Sequence, residues 1–503
     1  MLLNQLIFMA DNIFIEKYDE VYVRCYTEPG ISYELQEYFT FEVPGARFMP
    51  QVRNKFWDGK IRLYNPSTGL IYAGLVPYIR EFAKNYDYTV EVDDELHDVE
   101  FSLAEATSYA KDLLKGAGFE PRDYQLKAFA HAMRTKRALM LSPTASGKSL
   151  IIYLIAHMMQ EMGNKILVIV PTTSLVYQMQ TDFKDYGFEK DVRVIDGSQN
   201  KSWRDTISEG IVISTWQSIH KMPKPWFAQF KCVIGDEAHH FKSKSLTTIM
   251  TKLVDCPYRF GFTGTIDETQ THKLVLEGLF GSIKKVTTTS ELMEKGTLSK
   301  LGVKAIVLKH PGASCDLLKK ATYQDELQHI VGSPARNKFI QNLVTGLNGN
   351  TLLLYQLVEK HGKILYNNIL EQQQKEVIDR NIFFVSGEVD AAAREQIRAL
   401  VESDTDAIIV ASYGTFSTGI NIKNLHNVVF ASPSKSKIRV LQSIGRGLRR
   451  SDTKSNATLF DIADDLTHKS RKNYTLKHFQ DRVQFYNDEK FDYKIYQVKL
   501  NGV

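Results

Sequence analysis

Ser142-Pro-Thr-Ala-Ser-Gly-Lys-Ser149 stands between an apolar run, Ala138–Leu141, and a helical apolar pattern, Leu150–Met159. Glycine, lysine and a hydroxyl in succession at a strand-to-helix turn are the groups that hold phosphate. Backbone N–H groups and the positive end of the helix dipole face the anion. Gly147 lets the chain come close, Lys148 reaches the outer oxygens, and Ser149 can ligate Mg²⁺. Thr144 and Ser146 belong to the same loop. The stretch departs from G-x-x-x-x-G-K-[ST] at its first residue, Ser142, and a chance Gly-Lys-Ser in a surface turn is the competing reading. A second stretch, Cys232-Val-Ile-Gly-Asp-Glu-Ala-His239, is an apolar strand ending in two carboxylates. At the C-terminal edge of a parallel sheet, Asp236 faces the place where ligands bind. There it can hold the Mg²⁺ shell while Glu237 orients an attacking water. A solvated acidic turn, or a metal pair His239–His240, is the bland alternative.

These residues need an α/β scaffold, and the chain is patterned for one. Its 503 residues suffice for about three domains. With 43% hydrophobic and 24% charged residues it is neither collagen-like nor disordered. No apolar run approaches the roughly 18 residues needed to span a bilayer; the longest, Ile151–Met159, contains His157. The apolar start, MLLNQLIFMADN, lacks a basic flank and a cleavage site, so it reads as untargeted or as an extension before Met9. Cys25, Cys232, Cys256 and Cys315 have no paired spacing, which predicts neither disulfides nor zinc. A net charge of +5 is too mild to argue for nucleic acid by itself.

Strand-like runs at Val21–Tyr26 and Tyr86–Val92, with helical spacing at Ile31–Phe39 and Val76–Asn85, predict a small N-terminal α/β unit. Strands at Ala138–Leu141, Ile166–Val170, Val192–Asp196, Ile211–Ser214, Cys232–Asp236 and Arg259–Thr263 alternate with helical patterns. That alternation predicts a parallel sheet covered on both faces. A less regular stretch follows at about 296–325. The alternation then restarts with Thr351–Leu354, Ile382–Val385, Ala407–Ala411, Asn427–Ala431 and Ala457–Ile462.

Further motifs in chain order carry a resemblance. Arg122-Asp-Tyr-Gln125, the phosphate loop, Pro171–Gln178, Ser214-Thr-Trp-Gln217, Asp236-Glu-Ala-His239, Thr263-Gly-Thr265, Thr418-Gly-Ile-Asn421 and Gln442–Arg449 together resemble the ordered motifs of superfamily 2 helicases. The resemblance implies two tandem RecA-like parallel-sheet domains, at 101–320 and 321–464, that clamp ATP and Mg²⁺. A small N-terminal α/β domain (1–100) and a helical C-terminal tail (465–503) complete the expected architecture. It implies an ATP-hydrolysing helicase with Lys148, Asp236, Glu237, Arg446 and Arg449 as catalytic groups. Arg122 and Gln125 would read adenine, and Gly419 and Gln442 would join the nucleotide site. Thr172, Thr215 and Thr418 carry hydroxyls suited to nucleic-acid phosphates; as lone residues they would be turn or cap threonines. Thr-Gly-Thr in place of Ser-Ala-Thr resembles DNA-repair helicases and translocases more than DEAD-box RNA helicases.

Residues 47–62 hold five basic residues, one acid and three aromatics, Phe48, Phe56 and Trp57. Arg53, Lys55, Lys60 and Arg62 can neutralise phosphates while Trp57 and its neighbours stack on bases. A hairpin with buried rings and a solvated charged face is the alternative. This region joined to a compact motor resembles a DNA-helicase family of T-even bacteriophages, which implies work on branched DNA. The expected protein is a cytoplasmic monomer, off the membrane, with branched or single-strand-containing DNA as partner and replication or recombination proteins as further candidates. An RNA helicase, a non-unwinding duplex translocase and a scaffold with a dead phosphate loop are the other readings. In the tail, Leu476, Phe479 and Val483 recur at helical spacing, so an amphipathic helix should dock on the second domain.

Overall fold

A computed structural model describes residues 11–433 and 456–500, apart from 44, 200, 267–269, 377–379, 390, 420, 421 and 423. They form two compact units. Apart from the loop 143–146, the first ends at Val286 and the second begins at Thr287.

The first unit opens with β1 (Asn12–Lys17), β2 (Tyr22–Tyr26), β3 (Thr40–Glu42), β4 (Lys60–Arg62), β5 (Leu70–Tyr72) and β6 (Thr89–Val92). Four of these make a mixed sheet in the order β5-β2-β1-β6, while β3 and β4 pair apart from it. In β2, alternation sends Val23 and Cys25 inward. The helix Val76–Asn85 buries Val76, Ile79, Phe82 and Ala83 along one stripe against them. This core borrows Leu274 from the helix Gln270–Phe280 of the following domain. Gly74 makes the contact close: a Cβ there would lie 2.0 Å from the Glu277 carbonyl oxygen. Tyr78 donates its hydroxyl to Glu277 Oε2 at 2.6 Å, so the N-terminal sheet is anchored by packing and by a hydrogen bond.

Next come β7 (Arg137–Leu141), β8 (Lys165–Val170), β9 (Arg193–Ile195), β10 (Ile211–Thr215), β11 (Phe230–Asp236), β12 (Tyr258–Thr263) and β13 (Ile283–Lys285). Their order is β13-β7-β12-β11-β8-β10-β9, parallel throughout. Successive residues of one strand serve two cores: Cys232 and Ile234 face one, Val233 the other. Covering helices on both faces explain why these strands read as continuous apolar runs. Buried Arg259 donates to the carbonyls of Leu279, Leu253 and Met250. It thereby satisfies C-terminal carbonyls of two helices that have no partner within their own helix.

The second unit holds β14 (Lys300–Lys309), β15 (Thr351–Tyr355), β16 (Ile382–Val385), β17 (Ile408–Ser412), β18 (Asn427–Phe430), β19 (Asn456–Asp465) and β20 (Asp492–Lys499). They make a second parallel sheet in the order β16-β17-β15-β18-β19-β14-β20. Two strands lie where the sequence pattern showed none. β14 falls in the irregular stretch, inside the span 101–320 expected for the first domain, yet all its ladder partners are in the second sheet. Its lysines disguise it: exposed Lys304 sets its ammonium over the Phe460 ring at 5.3 Å. β20 ends the tail as a largely exposed edge strand, with Lys494 and Lys499 on it. The tail is therefore a helix, Tyr474–Asp488, followed by a strand. The helix docks as its spacing predicts, with Phe479, Leu476 and Val483 against Ala305, Val307 and Ala463. Buried Arg482 makes a two-point pair with Asp461, which also accepts from Tyr486.

Among the described residues no helix is long and apolar enough to cross a membrane.

Candidate active site

The phosphate loop forms where β7 gives way to the helix Lys148–Glu161. Gly147 caps that helix with φ +78°, a conformation that favours glycine, and a Cβ there would meet Gln125 Nε2 at 2.3 Å and push that amide aside. Ala145 also has a positive φ, +65°. Ser146 is buried and donates to the Pro143 carbonyl at 2.7 Å, which closes the loop on itself; Thr144 is half-buried within it. Ser149 Oγ lies 2.9 Å from the Tyr186 hydroxyl.

β11 brings the carboxylates to this loop. Lys148 Nζ lies 3.1 Å from Glu237 Oε1 and 3.8 Å from Asp236 Oδ1. Glu237 has φ +49°, a conformation uncommon outside glycine, and its N–H donates to Asp236 Oδ1 at 2.9 Å. Such strain persists where the surroundings impose it, and here it turns Glu237 toward the lysine. His239 Nδ1 stands 3.4 Å from Glu237 Oε2 and 3.0 Å from Thr263 Oγ1, joining the end of β11 to that of β12. Burial pushes the Asp236 carboxyl up to about 6, with Lys148 opposing the rise and Glu237 adding to it. A dication beside Asp236 would reverse that balance.

Gln125 is buried and uses both ends of its amide. Nε2 donates to the Gly147 carbonyl at 3.2 Å, and Oε1 accepts from Arg122 N at 2.8 Å. Arg122 is exposed and its guanidinium reaches the Tyr124 hydroxyl at 3.0 Å. Gln125 thus sits directly beside the phosphate loop, and Arg122 is joined to it through Gln125. Thr172 caps the helix Thr173–Asp185 by accepting from Leu175 N. Thr215 is buried, with its hydroxyl 2.7 Å from Ser218 Oγ. Thr418 and Gly419 end the helix Tyr413–Gly419. Gln442, Arg446 and Arg449 lie outside the described residues.

Tyr186 is the neighbour that sequence reasoning missed. It sits 37 residues beyond Ser149, after the helix Thr173–Asp185, in no motif, and nothing in its local pattern could have announced it.

Residues 47–62 form two short helical turns, Ala46–Phe48 and Pro50–Arg53, then β4. Phe56 is 85% exposed and Phe48 70%, with Arg47 over the Phe48 ring at 4.7 Å. Trp57 is half-buried and donates Nε1–H to the Lys60 carbonyl at 2.9 Å. Arg53, Lys55 and Lys60 are exposed; Arg62 is paired with Asp58. A hairpin with all its rings buried is not what forms here.

Two parallel sheets, with a phosphate loop and an acidic strand end in the first, define a superfamily 2 helicase motor. Comparison with known proteins agrees. Residues 118–268 match the family described as type III restriction enzyme, res subunit, and 335–451 match the helicase conserved C-terminal domain. Residues 11–93 match the family described as DNA helicase UvsW, N-terminal. The chain is 37% identical to the ATP-dependent DNA helicase uvsW of Enterobacteria phage T4, over 97% of this chain and all of that protein. The crystal structure of T4 UvsW superposes with a TM-score of 0.51 at 36% identity, covering 97% of this chain and 100% of that one. A DNA 3'-5' translocase XPB2 of Sulfurisphaera tokodaii is 24% identical over 68% of this chain and 81% of its own length. The chain belongs to the UvsW family of DNA helicases.

Proposed function

We propose that this protein is an ATP-dependent DNA helicase that remodels branched DNA in recombination, repair and replication. For the motor, the supporting observation is the cluster Lys148–Glu237–Asp236 at 3.1 and 3.8 Å. The helix N-terminus and Lys148 bind the β- and γ-phosphates of ATP, drawing the ammonium away from Glu237. The released Glu237 carboxylate then orients the attacking water, and His239 holds it in place. Asp236 and Ser149 would hold Mg²⁺, which neutralises phosphate oxygens. The donors fit: one carboxylate and a hydroxyl suffice when substrate phosphates and water complete the shell, and positive charge already gathers there as Lys148. Arg122 and Gln125 take the adenine end. Thr172, Thr215 and Thr418 belong to the strand path. In the second motor domain, Gly419, Gln442, Arg446 and Arg449 would act on the nucleotide, with Arg446 as the arginine finger.

The branched-DNA reading is carried by the exposed rings of Phe48 and Phe56 among Arg47, Arg53, Lys55 and Lys60. Rings in water beside cations suit unstacked bases next to phosphates, which a junction offers and a plain duplex does not. ATPase stimulation by single-stranded, duplex and four-way-junction DNA and by RNA, measured side by side, should rank the junction first. Replacing Arg53, Lys55, Lys60 and Arg62 with alanine should weaken junction binding and flatten its salt dependence. Turnover at saturating single-stranded DNA should hold. Equal stimulation by all DNAs, or an unchanged junction affinity in the variant, would overturn the assignment of 47–62.

A further inference from the structure

The second unit carries a basic hollow outside every helicase motif. It lies between the segment 318–321 and the turn and helix start 466–477, and encloses about 70 Å³. Lys319, His468, Arg471, Lys472 and Lys477 line it. The fold joins the two segments directly, because Arg471 Nη1 donates to the Lys319 carbonyl. His468 and Arg471 pair across a tight turn with Lys469 at its tip, φ +54°, and Lys469, Arg471 and Lys472 are exposed. Lys319, Lys472 and Lys477 are exposed.

The hollow has one acidic lining residue, Glu326, and its charge is already committed. Glu326 Oε1 accepts from Asn473 Nδ2 at 2.8 Å, Thr475 N at 2.7 Å and Thr475 Oγ1 at 2.6 Å. Oε2 accepts from Tyr474 N at 2.9 Å. Glu326 thus serves as the anion at the N-terminus of the helix Tyr474–Asp488, leaving the lysines to face solvent. Asp316, outside the lining, pairs with His468 at 2.8 Å. Tyr474, one of the lining residues, is 39% exposed. A concave, cationic, phosphate-sized hollow with a ring at its edge has the chemistry of a nucleic-acid backbone contact.

We propose that this hollow binds a DNA phosphate, giving the second motor domain an anchor on the backbone that is independent of the helicase motifs. The proposal rests on the chain acting on DNA. The anchor reads no sequence; it holds the strand by charge, so its contribution falls with salt.

The test is a triple variant, Lys319→Ala, Lys472→Ala and Lys477→Ala. A charge-matched control removes Lys84, Lys111 and Lys190, exposed lysines of the first unit. Affinity for single-stranded DNA and for a four-way junction is measured at several salt concentrations, beside DNA-stimulated ATPase. The hollow variant should lose about 0.7–0.9 of log–log salt slope per phosphate contact removed. It should need several-fold more DNA for half-maximal ATPase, while maximal turnover stays within twofold. The control should keep both the wild-type slope and the half-maximal DNA concentration. An oligonucleotide with abasic sites should show the same loss, since the contact is to backbone. Wild-type slopes in the hollow variant, or equal losses in both variants, would overturn the proposal. So would binding of inorganic phosphate that depends on the hollow while DNA affinity does not, because the site would then serve a free anion. Wild-type protein whose ATPase ignores DNA would instead overturn the helicase reading beneath it.

Discussion

Each motor unit places a carboxylate, a histidine and a cation at the C-terminal end of a parallel sheet, and the two clusters behave oppositely. In the first, Asp236 faces Lys148 across 3.8 Å, and burial pushes its carboxyl up to about 6. In the second, Asp464 on β19 accepts from Arg336 Nε at 2.7 Å and Nη2 at 3.0 Å, and lies 2.9 Å from His310 Nε2. Burial alone would raise Asp464 too, but Arg336 and His310 hold it down at about 2. Arg336 also donates to the Ala431 carbonyl, so the second cluster ties strand end to strand end. One group is arranged with its charges loosely matched and a strained residue, Glu237, in its midst. The other is closed and two-pronged. Loose matching with strain is the arrangement suited to a ligand's charge, and a two-point pair with a third contact to a strand end is the arrangement suited to a joint.

The contrast breaks most sharply under substitution. Lys148→Ala and Glu237→Gln should each cut ATP turnover by several orders of magnitude while thermal unfolding stays near wild type. Glu237→Gln should still bind nucleotide and Lys148→Ala should bind it poorly; equilibrium binding and single-turnover hydrolysis separate the two. Arg446→Ala should slow hydrolysis on the order of 10³-fold with nucleotide binding retained; normal DNA-stimulated ATPase would remove it from the site.

The joint should fail the other way. Asp464→Ala strands a buried guanidinium and should cost about 3–5 kcal/mol of stability. Turnover per folded molecule should change little at a temperature where the variant is folded, as urea unfolding and ATPase together would show.

The smallest effect is acid sensitivity of the second unit. The folded pKa of Asp464 lies below its unfolded value, so its stabilisation is present above about pH 4 and lost as pH falls through about 2. His361, buried with Nδ1 2.9 Å from Ser432 Oγ, is held down at about 3, by burial first and then by Arg336. It stays neutral when folded and takes a proton on unfolding below about pH 6.5. Stability should therefore fall already between pH 6.5 and 3. His361→Asn should flatten that upper window and leave the lower one, in denaturant melts followed across pH.

The motor was legible because its signals are local. The loop Ser142–Ser149 and the strand Cys232–Asp236 are contiguous, and a strand covered on both faces writes an apolar run that needs no partner to be seen. The helix Val76–Asn85 forms over the residues its spacing marked. β14 and β20 were hidden because their lysines are tolerated by neighbours: Phe460 under Lys304, and open solvent along the edge strand.

The order of residues alone therefore determined the chemistry on offer: a phosphate loop, an acidic strand end, a basic and aromatic N-terminal stretch. Tertiary structure decided which of those groups meet. Tyr186 reaches Ser149, Lys319 joins the turn at His468, and Glu277 seats the N-terminal sheet only after distant segments pack. It also decided what each charge does. Asp236 and Asp464 are the same side chain at the same end of a sheet, and the cations around them send their carboxyls in opposite directions. Spacing along a chain specifies which groups can bond locally. The field at a carboxylate depends on burial and on partners 128 residues away, as for Arg336 and Asp464, and these exist only once the fold has closed.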